Sequence, residues 1–117
     1  MNVVADVLVG LVAALHLYFL VLEMFLWATP TGRRVFGTDA AFAEQSKALA
    51  ANQGLYNGFL AAGLVWGLVS GATEVQVFFL VCVIVAGLYG AATVNRRILL
   101  VQAVPAALAL AAVLLSR

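Results

Sequence analysis

The chain has 117 residues, of which 66% are apolar and 9% charged, against roughly 45–50% and about 25% in an ordinary soluble domain. That composition excludes a water-soluble globule and a disordered tail. Six Lys/Arg against five Asp/Glu leave a net charge of +1, which excludes a nucleic-acid binder working through a basic stripe.

Four apolar stretches, at about 3–27, 49–70, 75–94 and 98–115, each approach or exceed the roughly 18 residues that mark a membrane-crossing helix. The sequence therefore predicts an all-α fold. It is an integral membrane bundle of four transmembrane helices in a single domain over 1–117, placed in the cell (inner) membrane as a multi-pass protein. No positively charged segment precedes the first stretch and its apolar run is too long for a signal peptide, so it is expected to be retained. At about 1.5 Å per residue it is about 38 Å long, more than the roughly 30 Å hydrocarbon layer, and should tilt or project.

Pro30, Gly32 and Gly37 break the loop that follows, and Thr38 and Asp39 offer a helix start. A short amphipathic helix from about 39 should run straight into the second span, with Glu44 and Lys47 forming a weak surface pair. Arg33, Arg34 and Lys47 lie in this loop, Arg96 and Arg97 in the third, and only Arg117 on the opposite side. Cations accumulate on the cytoplasmic face, so both loops are expected inside and both termini outside, with Trp27 as an interfacial anchor.

Ionisable groups inside a span cost about 2.5–3.5 kcal/mol at the bilayer centre and should face protein or water. His16 and Glu23 are such groups, seven residues apart and so within about 20° on one helix face. Two turns, about 10 Å, still separate them, which argues against a direct hydrogen bond. On the second span Gln53, Tyr56 and Asn57 are spaced by three and four and are expected on one side, beside Asn52. Tyr89 and Thr93 add to the third span and Gln102 to the fourth, where Pro105 deprives the Val101 carbonyl of its usual helical donor. All these groups fall in the cytoplasmic half, which is what a polar pocket open to the cytoplasm requires and what a plain interhelical hydrogen-bond network also produces. Gly54, Gly58, Gly63, Gly67 and Gly71, with Ala86, Gly87, Gly90 and Ala91, form small-residue series that predict close approach of the second and third spans and leave room for a homo-oligomer. Cys82, the single cysteine, lies between Val81 and Val83 and reads as a buried thiol. No metal site and no cofactor are expected.

The runs HLYFLVLEMFLW (16–27), LAANQGLYNGFLAAG (49–63), VIVAGLYGAAT (83–93) and QAVPAALAL (102–110) together resemble the small four-helix membrane proteins grouped as domain of unknown function 1304. The resemblance covers essentially the whole chain. It implies the fold and a membrane location, carries no chemistry, and makes His16, Glu23, Asn52, Gln53, Tyr56, Asn57, Tyr89, Gln102 and Pro105 the characteristic positions.

Three readings of function follow. In the first, His16, Glu23, Gln53, Tyr56, Asn57, Tyr89 and Gln102 line a pocket for a small amphipathic molecule, with His16 and Glu23 the candidates for acid/base chemistry should the ligand also be transformed. In the second, Glu23 is the proton switch of a small-molecule exporter, although five cations against one fix a single insertion whereas such exporters pair opposed copies. In the third the chain is a structural or accessory subunit without a ligand. The lipid bilayer is the partner common to all three, and nucleic acid to none.

Overall fold

The computed structural model describes residues 2–116, so the expectation attached to Arg117 lies outside the described residues. Among those residues there are helices and no strand: α1 (Val3–Met24), α2 (Pro30–Phe36), α3 (Ala40–Ser70), α4 (Thr73–Thr93), a π-helical turn (Leu99–Ala103) and α5 (Val104–Leu115). Two of them, α1 and α4, are long and apolar enough to cross a membrane. Although α3 is longer, at 31 residues or about 46 Å, its polar run from Asn52 to Asn57 dilutes the apolar stretch. Leu99–Leu115 is apolar but shorter.

Local chemistry sets the boundaries. The Asn2 side chain accepts a hydrogen bond from the Ala5 amide (3.0 Å) and starts α1; the Asp39 side chain does the same for the Phe42 amide (2.8 Å) and starts α3, as the sequence predicts. α1 ends three residues short of the predicted position, at Met24. Beyond it the Phe25 and Leu26 amides both donate to the Val21 carbonyl, and Thr29, forced extended by the proline after it, points the chain into a new helix.

The expected break at Pro30–Gly37 is instead α2. Pro30 occupies the first turn, where its missing N–H is no loss. Thr29 caps the helix by accepting from the Gly32 amide, and Gly37 closes it at φ 68°, a left-handed conformation that a side chain disfavours. Two residues usually read as breakers are therefore the two ends of a helix.

Before Pro105 the structure has a feature that the sequence did not predict. The Val104 amide donates to the Leu99 carbonyl, five residues back, so the turn before the proline is widened to a π-helix and Pro105 falls in the first turn of α5. A ring that would collide with the carbonyl four residues earlier is accommodated by the wider turn.

The chain packs as two compact units. One combines the residues up to Ala14 with those from Leu60 onward. Its core is built from Val9 and Val12 of α1, Leu64 of α3, Leu80 and Val83 of α4, and Ala106, Ala109 and Val113 of α5, all buried. Among the described residues Gln76 is the buried polar group there, and its side-chain amide donates to the Gly67 carbonyl (3.0 Å), which also accepts from the Ala72 amide. Cys82 is half-buried.

Small residues set the close approaches, but not as one seam. Within this unit Gly63 and Gly67 of α3 face Phe79 and Gln76 of α4, as expected, whereas Gly87 and Gly90 face Ala103 and Ile98 of the last helical segment. The contacts rank the glycines. Adding a methyl group at Gly90 meets only the movable Ile98 side chain at 3.1 Å, and at Gly10 only Leu68 at 4.0 Å. Gly10→Ala is expected to leave the thermal midpoint in detergent unchanged or slightly raised, because helical alanine is favoured over glycine by roughly 0.8–1 kcal/mol.

The second unit, Leu15–Phe59, holds the end of α1, all of α2 and the first two thirds of α3.

Candidate functional site

The second unit brings a carboxylate and an amide together across two helices. Gly54 permits the approach: a Cβ there would stand 2.6 Å from Met24 Cγ and 3.1 Å from Glu23 Cβ, so only glycine lets the last turn of α1 lie this near to α3. One turn further along α3, Asn57 Nδ2 donates to Glu23 Oε1 at 2.5 Å. Asn57 is 6% exposed, so the hydrogen bond forms where water is largely excluded. Glu23 is half-buried, and its second oxygen accepts no hydrogen bond among the described residues.

Next to Glu23, the turn after α1 folds back on α2 and α3. Trp27 Nε1 donates to Ser46 Oγ (3.0 Å), Ser46 Oγ donates to the Phe42 carbonyl (2.7 Å), and the Trp27 ring lies 4.8 Å from that of Phe36. Thr29 Oγ1 donates to the Leu26 carbonyl (2.6 Å) and accepts from the Gly32 amide (3.3 Å). These bonds fix an indole and a backbone turn opposite α3, leaving an open cleft of about 460 Å³. Glu23, Met24, Phe25, Trp27 and Thr29 form one side, and Lys47, Ala48 and Ala51 of α3 the other. The alanines leave the volume that larger side chains would fill. Lys47 Nζ meets Glu44 Oε1 at 2.6 Å, an exposed pair of the expected spacing, and two of its three N–H donors remain for another acceptor.

The other residues singled out in the sequence are distributed differently. His16 is fully buried, with its ring edge-on to Phe19 at 5.4 Å; it does not line the cleft, and the carboxylate of Glu23 is bonded to Asn57 instead. Gln53 and Asn52 are exposed, and Tyr56 is 53% exposed against Phe59. In the first unit, Tyr89 is exposed, while Gln102 is half-buried in the π-helical turn; neither His16 nor Gln102 is without a partner. Of the seven expected ligand-binding positions, Glu23 lines the cleft and Asn57 supports it. Sequence reasoning gave Lys47 a topological role and a surface pair with Glu44, and passed over Thr29 and Ser46. The Thr-Pro pair at 29–30, a helix cap followed by a first-turn proline, was the signal that could have placed Thr29.

A family model described as "Protein of unknown function (DUF1304)" matches residues 10–114, which include every residue of the cleft. The chain belongs to the DUF1304 family. This DUF1304 chain is also 33% identical over 114 residues, covering 94% of its own length and 96% of the relative's, to "Uncharacterized protein YpaA" of Lactococcus lactis subsp. lactis (strain IL1403). No solved structure matches.

Proposed function

We propose that this DUF1304 protein is a multi-pass membrane protein that binds a small amphipathic molecule in the cleft beside Glu23. The observation that carries the reading is the Glu23–Asn57 bond (2.5 Å) at the edge of that cleft. A carboxylate at the end of an apolar helix is oriented by a buried amide from another helix, and its remaining oxygen is left to meet a polar group. Trp27, Met24 and Phe25 beside it supply apolar surface, the division of labour expected of a site for an amphiphile.

Exposure supports the membrane setting. Only 28% of the most apolar stretch of α1 and 22% of that of α4 are buried, whereas a core helix of a soluble protein is mostly buried, so the exposed Val, Leu and Phe side chains need lipid to cover them. In this reading α3 and the Leu99–Leu115 segment complete four crossings. Arg33, Arg34 and Lys47 then lie two crossings from Arg96 and Arg97, all on the cytoplasmic side, with the chain ends outside. The cleft sits at the inner interface, with Asn52, Gln53 and Tyr56 at headgroup level where their exposure is tolerated. Since His16 lies outside the cleft, binding fits the geometry better than proton transfer by a His–Glu pair.

Native mass spectrometry of the purified full chain tests this. The expected spectrum shows one small molecule retained per chain, and Asn57→Ala loses it while the fold changes little, because a hydrogen bond between membrane helices averages about 0.6 kcal/mol. A chain that carries no stoichiometric molecule, and whose Asn57→Ala variant only melts earlier, is a structural subunit in which the bond serves to lock two helices.

A further inference from the structure

The first half of α3 carries a second face that the cleft does not use. Phe42, Leu49 and Tyr56 recur every seven residues, and Gln45, Asn52 and Phe59 follow each of them by three. That alternation of three and four is the a/d seam of a two-stranded coiled coil. All six residues are exposed, Leu49 by 76%. The same helix buries Ala43, Ala50, Gly54 and Asn57, which lie roughly 135° around the axis from the seam.

Acyl chains do not account for this face. At 31 residues, or about 46 Å, α3 exceeds a hydrocarbon layer of about 30 Å by about ten residues. With its last turn at the outer surface, residues 40–49 stand clear of the hydrocarbon on the cytoplasmic side, where Phe42 and Leu49 meet only headgroups and water. Another protein surface covers them better.

Three features fit a second copy of this chain. No charged side chain lies in the seam, so two identical faces meet without repulsion, and the Glu44–Lys47 pair stands aside on its own. Gln45 and Asn52 have no hydrogen-bond partner among the described residues, and a side-chain amide, being both donor and acceptor, pairs with its own equivalent. Every copy inserts the same way in the reading above, so two copies run parallel and like residues face each other across a two-fold axis. We infer that α3 pairs with α3 of a second copy along these six residues, in a parallel dimer whose register is set by Asn52 against Asn52. The inference uses the membrane setting proposed above and is independent of the ligand.

Cysteine cross-linking of the full chain in its membranes tests it. Cys82 is the single cysteine, so a Cys82→Ala background reports only introduced thiols. Under mild oxidation Leu49→Cys, Asn52→Cys and Tyr56→Cys are each expected to give a disulfide-linked species of twice the chain mass. Glu44→Cys and Leu55→Cys, exposed but roughly a quarter turn or more from the seam, are expected to give roughly tenfold less, since a disulfide needs the two Cβ atoms within about 4.5 Å. Native mass spectrometry of the chain without new cysteines is expected to show the dimer. Leu49→Glu, which sets two like charges face to face, should lower its association constant at least roughly tenfold.

Uniform cross-linking at all five positions, or none at any, overturns the inference, as does a Leu49→Glu chain that dimerises like the wild type. Phe42→Cys joining Phe59→Cys in mixed membranes, without an Asn52→Cys homodimer, makes the pair antiparallel and overturns it too. An adduct whose mass is not twice that of the chain replaces the second copy by another protein. A membrane-bound monomer removes the dimer and leaves the cleft to its own test, whereas a chain missing from the membrane fraction removes both.

Discussion

Gly32→Ala is expected to detach α2 from the turn that follows α1 and to lower stability by about 3 kcal/mol or more. An added Cβ at this position would stand 1.9 Å from the Leu26 carbonyl oxygen and 2.8 Å from that of Trp27. Both are backbone atoms, so no side-chain rotation relieves the clash. Alanine gains roughly 0.8–1 kcal/mol over glycine in a helix interior, far less than an overlap of this size costs, so the sign is set by packing. Since Thr29 caps α2 through the Gly32 amide and the Trp27 ring packs against that of Phe36, the cleft should open at the same time. A lowered thermal midpoint in detergent, together with red-shifted Trp27 emission in a Trp66→Phe background, checks it. Gly37→Ala is the control: nothing stands within 4 Å of an added Cβ there, and only the left-handed backbone at φ 68° opposes it, a strain of roughly 1–2 kcal/mol. A Gly32→Ala protein as stable as wild type shows that the turn and α2 do not pack as described.

Gly87→Ala carries the second large effect, in the other unit. Its Cβ would lie 2.8 Å from the Ala103 amide nitrogen, 2.9 Å from Ala103 Cβ and 3.0 Å from Ala103 Cα, so α4 and the π-helical turn would have to separate. Close approach of small residues is a main source of helix association in lipid, and overpacking of this kind costs about 1–3 kcal/mol. Ala103→Gly removes only one of the three contacts and should restore part of the loss. Gly90→Ala, three residues on in the same helix, should cost less because Ile98 can rotate away. Thermal midpoints of the three variants in one detergent decide the matter, and equal losses at Gly87 and Gly90 would show that this contact is not backbone-limited.

The sequence by itself determined the all-helical class, the start of α3 at Asp39 and the Glu44–Lys47 pair, because apolar runs, caps and i,i+3 charges are properties of a single stretch of chain. It also marked Glu23 and Asn57 as groups needing an explanation. Only the tertiary structure decided that Glu23 meets Asn57, 34 residues away, and not His16 seven residues away; that Asn57 turns inward while Gln53 and Tyr56 on the same helix stay exposed; and that Lys47 forms one wall of the cleft. Helical periodicity fixes the angle between two side chains on one helix, but the neighbour that covers a given face is chosen by where glycines such as Gly54 let another backbone come close. The same holds for Pro30 and Pro105: each lacks a backbone donor, and the surrounding packing decides whether the result is a helix start or a widened turn.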